Sequence, residues 1–250
     1  MTNEKYIFGI LGYGYVGKAT HYSLLKDQSV VIHDKLLQTS LKDLADIDTI
    51  FVCLPSADQG DLEILVNEIE ELVSQNPHCQ IVIRSTLPVG YSSEIQNKLG
   101  IKIIYIPEFL RERYWMEDCL RRPLVVGKDD RKIPDWLAGE EIIVCSVEEA
   151  ELVKMFSNTF ATVRIAFANL FYDLSQHMSA DYNTVKNAFF KVQHDQTYME
   201  VPGHDGTRGF GGKCLPKDFD FMIDTLDQRN LDSAWLKNIR ELNKQWQKKF

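Results

Sequence analysis

The chain has 250 residues, 44% of them hydrophobic and 26% charged, a balance that excludes disordered and fibrous proteins. Its 14 glycines and 8 prolines are too few for a collagen-like or low-complexity chain. A net charge of −8 argues against a duplex-DNA or anionic-membrane binder, while a small anionic ligand could still be held by local backbone N–H groups.

Met1 to Lys5 is polar and the apolar stretch after it is soon broken by glycines, so no secretion signal is expected. No apolar run approaches the roughly 18 residues that a membrane-spanning helix needs. A cytosolic location is therefore expected. Cys53, Cys79, Cys119, Cys145 and Cys214 are odd in number and contain no C-x-x-C pair, so neither a disulfide framework nor a metal site is expected. Most of these thiols are expected to be buried.

In chain order, short β-branched runs alternate with amphipathic stretches through the first 146 residues, the pattern of strand and crossover helix in a parallel sheet. The predicted strands are Tyr6 to Leu11, Val30 to His33, Thr49 to Leu54, Gln80 to Arg84, Ile101 to Ile106, Leu124 to Gly127 and Glu141 to Cys145. Each is nearly continuously apolar, which suits strands covered on both faces. Leu62, Leu65, Val66, Ile69 and Leu72 recur at helical spacing and predict a covering helix over Asp61 to Asn76.

From Val147 to about His177 neither proline nor glycine occurs, and Leu152, Phe156, Phe160, Val163, Phe167, Leu170 and Leu174 recur every three or four residues. This predicts one long helix. Further helices are predicted at Tyr182 to Gln193, Lys217 to Gln228 and Ser233 to Lys248, with a glycine-bearing loop at Asp195 to Gly212. The expected architecture is α/β, a parallel sheet over 1–146 followed by an all-helical domain over 147–250.

Gly12-Tyr13-Gly14-Tyr15-Val16-Gly17 follows a predicted strand and opens a predicted helix, the setting that gives G-x-G-x-x-G its meaning as a Rossmann-type dinucleotide turn. The first glycine permits the turn, the second lets pyrophosphate approach, and the third packs helix on strand. Asp34, 22 positions after Gly12, ends the second strand, where a carboxylate accepts the ribose hydroxyls and repels a 2′-phosphate. NAD is favoured over NADP, although the adjacent Lys35 could tolerate a phosphate. The alternative is a glycine-rich turn with Asp34 capping a strand end.

The segment Gly206 to Asp218 concentrates further chemistry. Pro216 is expected at the first position of a helix, which sets Cys214 just outside the positive helix end, with Lys213 and Lys217 adding charge that favours a nucleophilic thiolate. A structural cysteine at a tight turn is the competing reading.

With the glycine turn, Ser85-Thr86-Leu87-Pro88-Val89-Gly90, Pro107 to Glu112, Arg122 to Gly127, Glu151 to Lys154 with Asn158, and Gly209 to Gly212 with Cys214 and Pro216-Lys217-Asp218, the chain resembles the UDP-glucose/GDP-mannose dehydrogenase family. The resemblance implies NAD-dependent oxidation of the C6 hydroxyl of a nucleotide sugar to the uronic acid. Cys214 would be the nucleophile, Asp218 would hold the basic water, and Lys154 with Asn158 would steady the C6 alkoxide. Glu112 and Thr86 would stand near the hydrolytic water. Cofactor contacts are expected at Gly12, Gly14, Tyr15, Val16, Gly17, Asp34, Lys35, Pro55, Ser85 and Thr86. Substrate contacts are expected at Glu108, Phe109, Leu110, Arg111, Lys154, Asn158, Phe210 and Gly211.

If the segment between Glu108 and Glu112 is helical, the two carboxylates share a face and one is pushed towards a base's range. The resemblance also implies a homodimer through the long helix, whose phenylalanines could instead pack within one chain. The chain stops at Phe250, before the family's C-terminal α/β domain, so a compact member is expected. Competing readings are a simple two-electron hydroxyacid-type dehydrogenase and a catalytically silent NAD-binding assembly module.

Overall fold

A computed structural model describes residues 6–121, 123–192, 200–203, 205–228, 230 and 233–248. Arg122 and parts of the expected 195–212 loop lie outside them, as do the side chains of Leu170 and Leu174. The chain forms two compact units, residues 1–154 and 155–250.

All seven predicted strands are present: β1 (Ile7–Leu11), β2 (Ser29–His33), β3 (Thr49–Val52), β4 (Gln80–Ile83), β5 (Ile103–Tyr105), β6 (Leu124–Gly127) and β7 (Ile142–Cys145). They form one sheet in the order β2-β1-β3-β4-β5-β6-β7. It is mostly but not wholly parallel as expected: β6 runs antiparallel to β5, meeting it at Tyr105 and Gly127. The expectation of strands covered on both faces fails at the sheet edge, where Ile143 of β7 is exposed. An edge strand has a neighbour on one side only, and its outer face is correspondingly less protected.

The first unit also contains α1 (Tyr15–Ser23), α2 (Gln59–Gln75), α3 (Tyr91–Leu99) and the single turn α4 (Trp115–Asp118). α2 begins where the Asp58 side chain accepts the Asp61 N–H. It buries the five apolar residues whose spacing predicted it, each removal from water contributing about 1.5–3 kcal/mol. Phe8, Ile10, Phe51, Val82, Ile104 and Val126 belong to the core around the sheet. Trp136 stands edge-on to Phe8 and Phe51, its Nε1 donating to Gln80 Oε1 at 3.1 Å.

The long helix α5 (Val147–His177) starts at a reciprocal cap: Ser146 N–H donates to Glu149 Oε2, and Glu149 N–H donates to Ser146 Oγ. The expected division at residue 146 thus coincides with the start of α5, whereas the compact units divide between Lys154 and Met155. The second unit continues with α6 (Tyr182–Val192), α7 (Leu215–Gln228) and α8 (Ala234–Gln247). Asp181 receives the Asn183 and Thr184 N–H groups at the head of α6. One cluster joins Ala168, Tyr182, Phe190 and Val201; another joins Phe210, Phe219, Ile223 and Leu236. Leu152, Phe156, Phe160 and Phe167 of α5 are exposed in the single chain, Phe156 at 76%.

No described helix is long and apolar enough to cross a membrane. No disulfide joins the five cysteines. Only Cys53 and Cys119 are buried, correcting the expectation that most would be; Cys79 and Cys145 are intermediate and Cys214 is exposed.

Candidate functional site

In the α/β unit, β1 delivers the chain into a turn at Gly12, whose φ of +90° suits glycine. A Cβ there would stand 2.7 Å from Cys53 O, and one on Gly17 would run into Gly12 O. A Cβ on Gly14 would meet nothing within 4 Å. The first and third glycines therefore let the turn close, while the second keeps clear the head of α1, where Gly14 offers no side-chain cap. Uncapped N–H groups beside open space form a cradle suited to a pyrophosphate.

Asp34 follows β2 and is fixed at both carboxylate oxygens: Tyr13 N–H donates to Oδ2 at 2.6 Å and Leu36 N–H to Oδ1 at 2.8 Å. Each oxygen keeps a further lone pair, so the two acceptors fit the donating hydroxyls of a ribose diol. Lys35 is exposed and 3.4 Å from Glu68. Tyr15 is exposed and Val16 half-buried on the first turn of α1. Pro55 is exposed beyond β3, and the buried Ser85 Oγ donates to Leu54 O at 2.7 Å, joining the ends of β3 and β4. Thr86 is buried beside it.

Glu108 lies just beyond β5 and is buried, as is Lys154 on α5; Lys154 Nζ donates to Glu108 Oε1 at 2.9 Å. Glu108 Oε2 accepts the Leu110 N–H at 2.6 Å. Burial pushes the Glu108 carboxyl up, but the Lys154 charge and these hydrogen bonds outweigh it and hold the group below its ordinary value. This overturns the expected rise. The segment 106–111 is not helical, so Glu108 shares no helical face with Glu112, which is exposed at the start of a separate single turn, Glu112–Tyr114.

Phe109 is partly exposed, and Lys154 Nζ lies 5.6 Å from its ring centre. Arg111 makes a two-pronged contact with Asp118, through Nε to Oδ2 and Nη2 to Oδ1, both at 2.9 Å. Asp118, which the sequence reading passed over, is held below its ordinary value: burial raises it, and the Arg111 bonds and charges more than reverse that. An acid seven positions after an arginine gave no periodic signal.

In the helical unit, Cys214 is exposed immediately before α7, and its carbonyl accepts the Asp218 N–H at 2.9 Å. α7 starts at Leu215, so Pro216 is its second residue rather than its first, and the thiol still stands outside the helix. Asp218 is fully buried; Asn158 Nδ2 donates to its Oδ2. Lys217 Nζ lies 3.2 Å from Oδ1, although that oxygen receives no hydrogen bond among the described residues. Lys154 and Asn158, one helical turn apart on α5, each donate to a carboxylate, Lys154 to Glu108 and Asn158 to Asp218.

Phe210 is buried, its ring edge-on to Phe219 at 5.3 Å. Its N–H and carbonyl are both bonded by the side chain of Asn243 on α8, a residue the sequence reading did not select. Gly211 follows, half-buried. Among the described residues no three His, Cys, Asp or Glu side chains are grouped to hold a metal ion.

Residues 148–245 match the central domain of the UDP-glucose/GDP-mannose dehydrogenase family. A UDP-glucose 6-dehydrogenase of Rickettsia conorii is 30% identical over 232 residues, covering 85% of this chain and 53% of that protein. One of Streptococcus pneumoniae is 33% identical over 177 residues, covering 64% and 44%. The chain spans about half the length of the curated relatives it matches. A UDP-glucose dehydrogenase of Pyrobaculum islandicum superposes with a TM-score of 0.77 at 22% identity, covering 98% of this chain and 69% of that one. A UDP-D-ManNAc dehydrogenase of Pyrococcus horikoshii gives 0.75 at 18% identity, covering 96% and 68%. At these identities the two structures establish the fold.

Proposed function

As the chain belongs to the UDP-glucose/GDP-mannose dehydrogenase family, we propose that it takes part in NAD-dependent oxidation of the C6 hydroxyl of a nucleotide sugar, such as a UDP-hexose, to the uronic acid. What carries this reading is the exposed Cys214 at the head of α7, within the span matched to the family's central domain.

Gly12, Gly14 and Gly17, the first turn of α1 and Asp34 would hold the dinucleotide, with Tyr15, Val16, Lys35, Pro55, Ser85 and Thr86 around it. Two NAD molecules, bound there in turn, would each supply the acceptor for one of the two hydrides lost from the sugar carbon. Asp34, with two carboxylate oxygens and its main-chain bonds, favours a free ribose diol over a 2′-phosphate.

In this reading Asp218, steadied by Asn158, orients the water that takes the hydroxyl proton. The Cys214 sulfur adds to the resulting aldehyde, so a C–S bond forms and the carbonyl oxygen becomes a hydroxyl. Loss of a hydride from that carbon and of the hydroxyl proton to water leaves a thioester. Water adds to it, the C–S bond breaks, and the acid leaves with the thiol restored; Glu112 and Thr86 attend that water. Glu108, Phe109, Leu110, Arg111 and Lys154 of the first unit, and Asn158, Phe210 and Gly211 of the second, are the residues that the family resemblance assigns to the sugar, with Lys154 and Asn158 assigned to the developing alkoxide.

The exposed Phe156 and Phe160, stacked at 6.4 Å between ring centres, suit a second copy of the chain as partner. Five thiols without a disulfide suit a reducing, cytosolic setting.

The test is a panel of UDP- and GDP-hexoses with NAD, counting NADH per sugar acid in the parent and in Cys214→Ser. Two NADH per acid, with Cys214→Ser blocked at or before the thioester, is the expected result. One NADH per product at a rate indifferent to Cys214→Ser would replace it with a simple two-electron dehydrogenase.

A further inference from the structure

The loop that leads to Cys214 is fastened by three side-chain amides of the helical unit. Asn169 of α5 accepts the Gly209 N–H and the Arg208 Nε–H through its Oδ1, both at 3.2 Å. The Arg208 guanidinium also lies 4.7 Å from the centre of the Tyr172 ring. One residue later, Asn243 Oδ1 accepts the Phe210 N–H at 2.7 Å, and Asn243 Nδ2 donates to the Phe210 carbonyl at 2.9 Å. Gln247, one helical turn further along α8, donates to that carbonyl at 3.0 Å.

A single buried carboxamide thus satisfies both main-chain groups of Phe210, as a neighbouring strand would. Gly209 accommodates it, since a Cβ there would run into the Asn243 side chain and its φ is +81°. Past Phe210 come Gly211 and Gly212, the latter at φ +76°, which give the loop little stiffness of their own. Its course to the thiol is then set by its two ends: Phe210 on one side, and on the other Cys214 O, bonded to the first turn of α7.

We propose that Asn243 is a positioning residue for Cys214, acting through the main chain of Phe210 to hold the sulfur at the head of α7. The proposal rests on the reading of Cys214 as nucleophile. A helix N-terminus favours a thiolate only within about one turn, so a loop freed at Phe210 lets the sulfur drift from the place where it reacts fastest.

The test is the rate at which iodoacetamide alkylates Cys214 in the full chain, followed by peptide mass spectrometry so that the other four cysteines are scored separately, together with kcat and the KM for NAD in the presence of a saturating, active nucleotide hexose. Asn243→Asp keeps the shape but turns an acceptor towards the Phe210 carbonyl, and Asn243→Ala removes both bonds. In each, alkylation of Cys214 and kcat are expected to fall about tenfold while KM for NAD is unchanged. Phe190→Leu, in the other cluster of the unit, serves as the control: it is expected to lower Tm and leave the Cys214 rate alone.

Rates within about twofold of the parent in both Asn243 variants would overturn the proposal. Should neither variant fold, Gln247→Ala decides, because it deletes one bond to the same carbonyl from an exposed position: about threefold slower alkylation supports the proposal and an unchanged rate overturns it. Normal turnover by Cys214→Ser would instead sink the nucleophile itself, an outcome that the alkylation rates keep separate.

Discussion

Lys154 Nζ stands 2.9 Å from Glu108 Oε1, with both side chains almost wholly withdrawn from water. Opposite charges so placed offset each other's desolvation, and removal of one strands the other. Lys154→Met should destabilise the α/β unit by about 3–5 kcal/mol, and Lys154→Met with Glu108→Leu should recover much of that loss. Urea titrations of the parent, both single variants and the double variant measure it; a mild single-variant cost would show the pair to be unimportant for folding.

Acid titration should separate Glu108 from Glu151. Glu108 sits below its ordinary 4.5, because the pull of Lys154 and of the Leu110 N–H exceeds the upward push of burial. Its stabilisation is complete above that value and is lost as pH falls through the lower folded value. Glu151 is displaced the other way: burial raises it, against the opposing bonds from Ser92 and from the Gly90 N–H. A proton is held more tightly there in the folded chain, so that contribution declines as pH rises from 4.5 through the folded value. Glu108→Gln and Glu151→Gln should therefore change the pH slope of the urea midpoint in opposite senses. Slopes altered in the same sense would contradict these environments.

The three glycines of the nucleotide turn should fail differently. Gly12→Ala places a Cβ against Cys53 O at positive φ and should cost about 1–3 kcal/mol. Gly17→Ala, meeting Gly12 O, should also lower Tm. Gly14→Ala meets nothing, so Tm should hold while NAD affinity drops about tenfold or more, because the methyl occupies the approach to the α1 N–H groups. Paired thermal melts and calorimetric NAD titrations check this; undiminished affinity in Gly14→Ala would place the pyrophosphate elsewhere.

Alkylation of the parent should be strongly selective. Burial pushes the Cys53 thiol up to about 11, against the nearby Arg84 charge and the Thr20 hydroxyl. Burial also raises Cys79 and Cys145, while Cys214 is exposed. Iodoacetamide at neutral pH should modify Cys214 first and Cys53 last. Peptide mapping over time reads the order, and early labelling of Cys53 would mean that the turn opens readily.

Local chemistry was readable from the sequence and distant pairing was not. Seven apolar runs marked the strands, and the glycine turn with Asp34 marked a nucleotide site, because each depends on neighbouring residues or on one strand-helix-strand unit. The reversed direction of β6 was hidden, since an apolar run reads the same either way. Glu108 looked like half of an acid pair with Glu112, but its partner is Lys154, 46 positions away, and non-helical backbone removed the assumed shared face. Asn243 carried no signal as one polar residue on an amphipathic helix; only folding brings it to Phe210, 33 positions earlier. The exposed phenylalanines of α5 were read as an apolar stripe, but spacing alone does not say what covers it.

Trp136, wedged edge-on against Phe8 and Phe51, has a counterpart in the helical unit, where Trp246 is buried on α8. Each unit thus carries an indole at least partly withdrawn from water. The four tryptophans fall two in each unit, Trp115 and Trp136 in the first and Trp235 and Trp246 in the second, so fluorescence of a Trp115→Phe/Trp136→Phe protein and of a Trp235→Phe/Trp246→Phe protein would follow the melting of one unit at a time, with no label added.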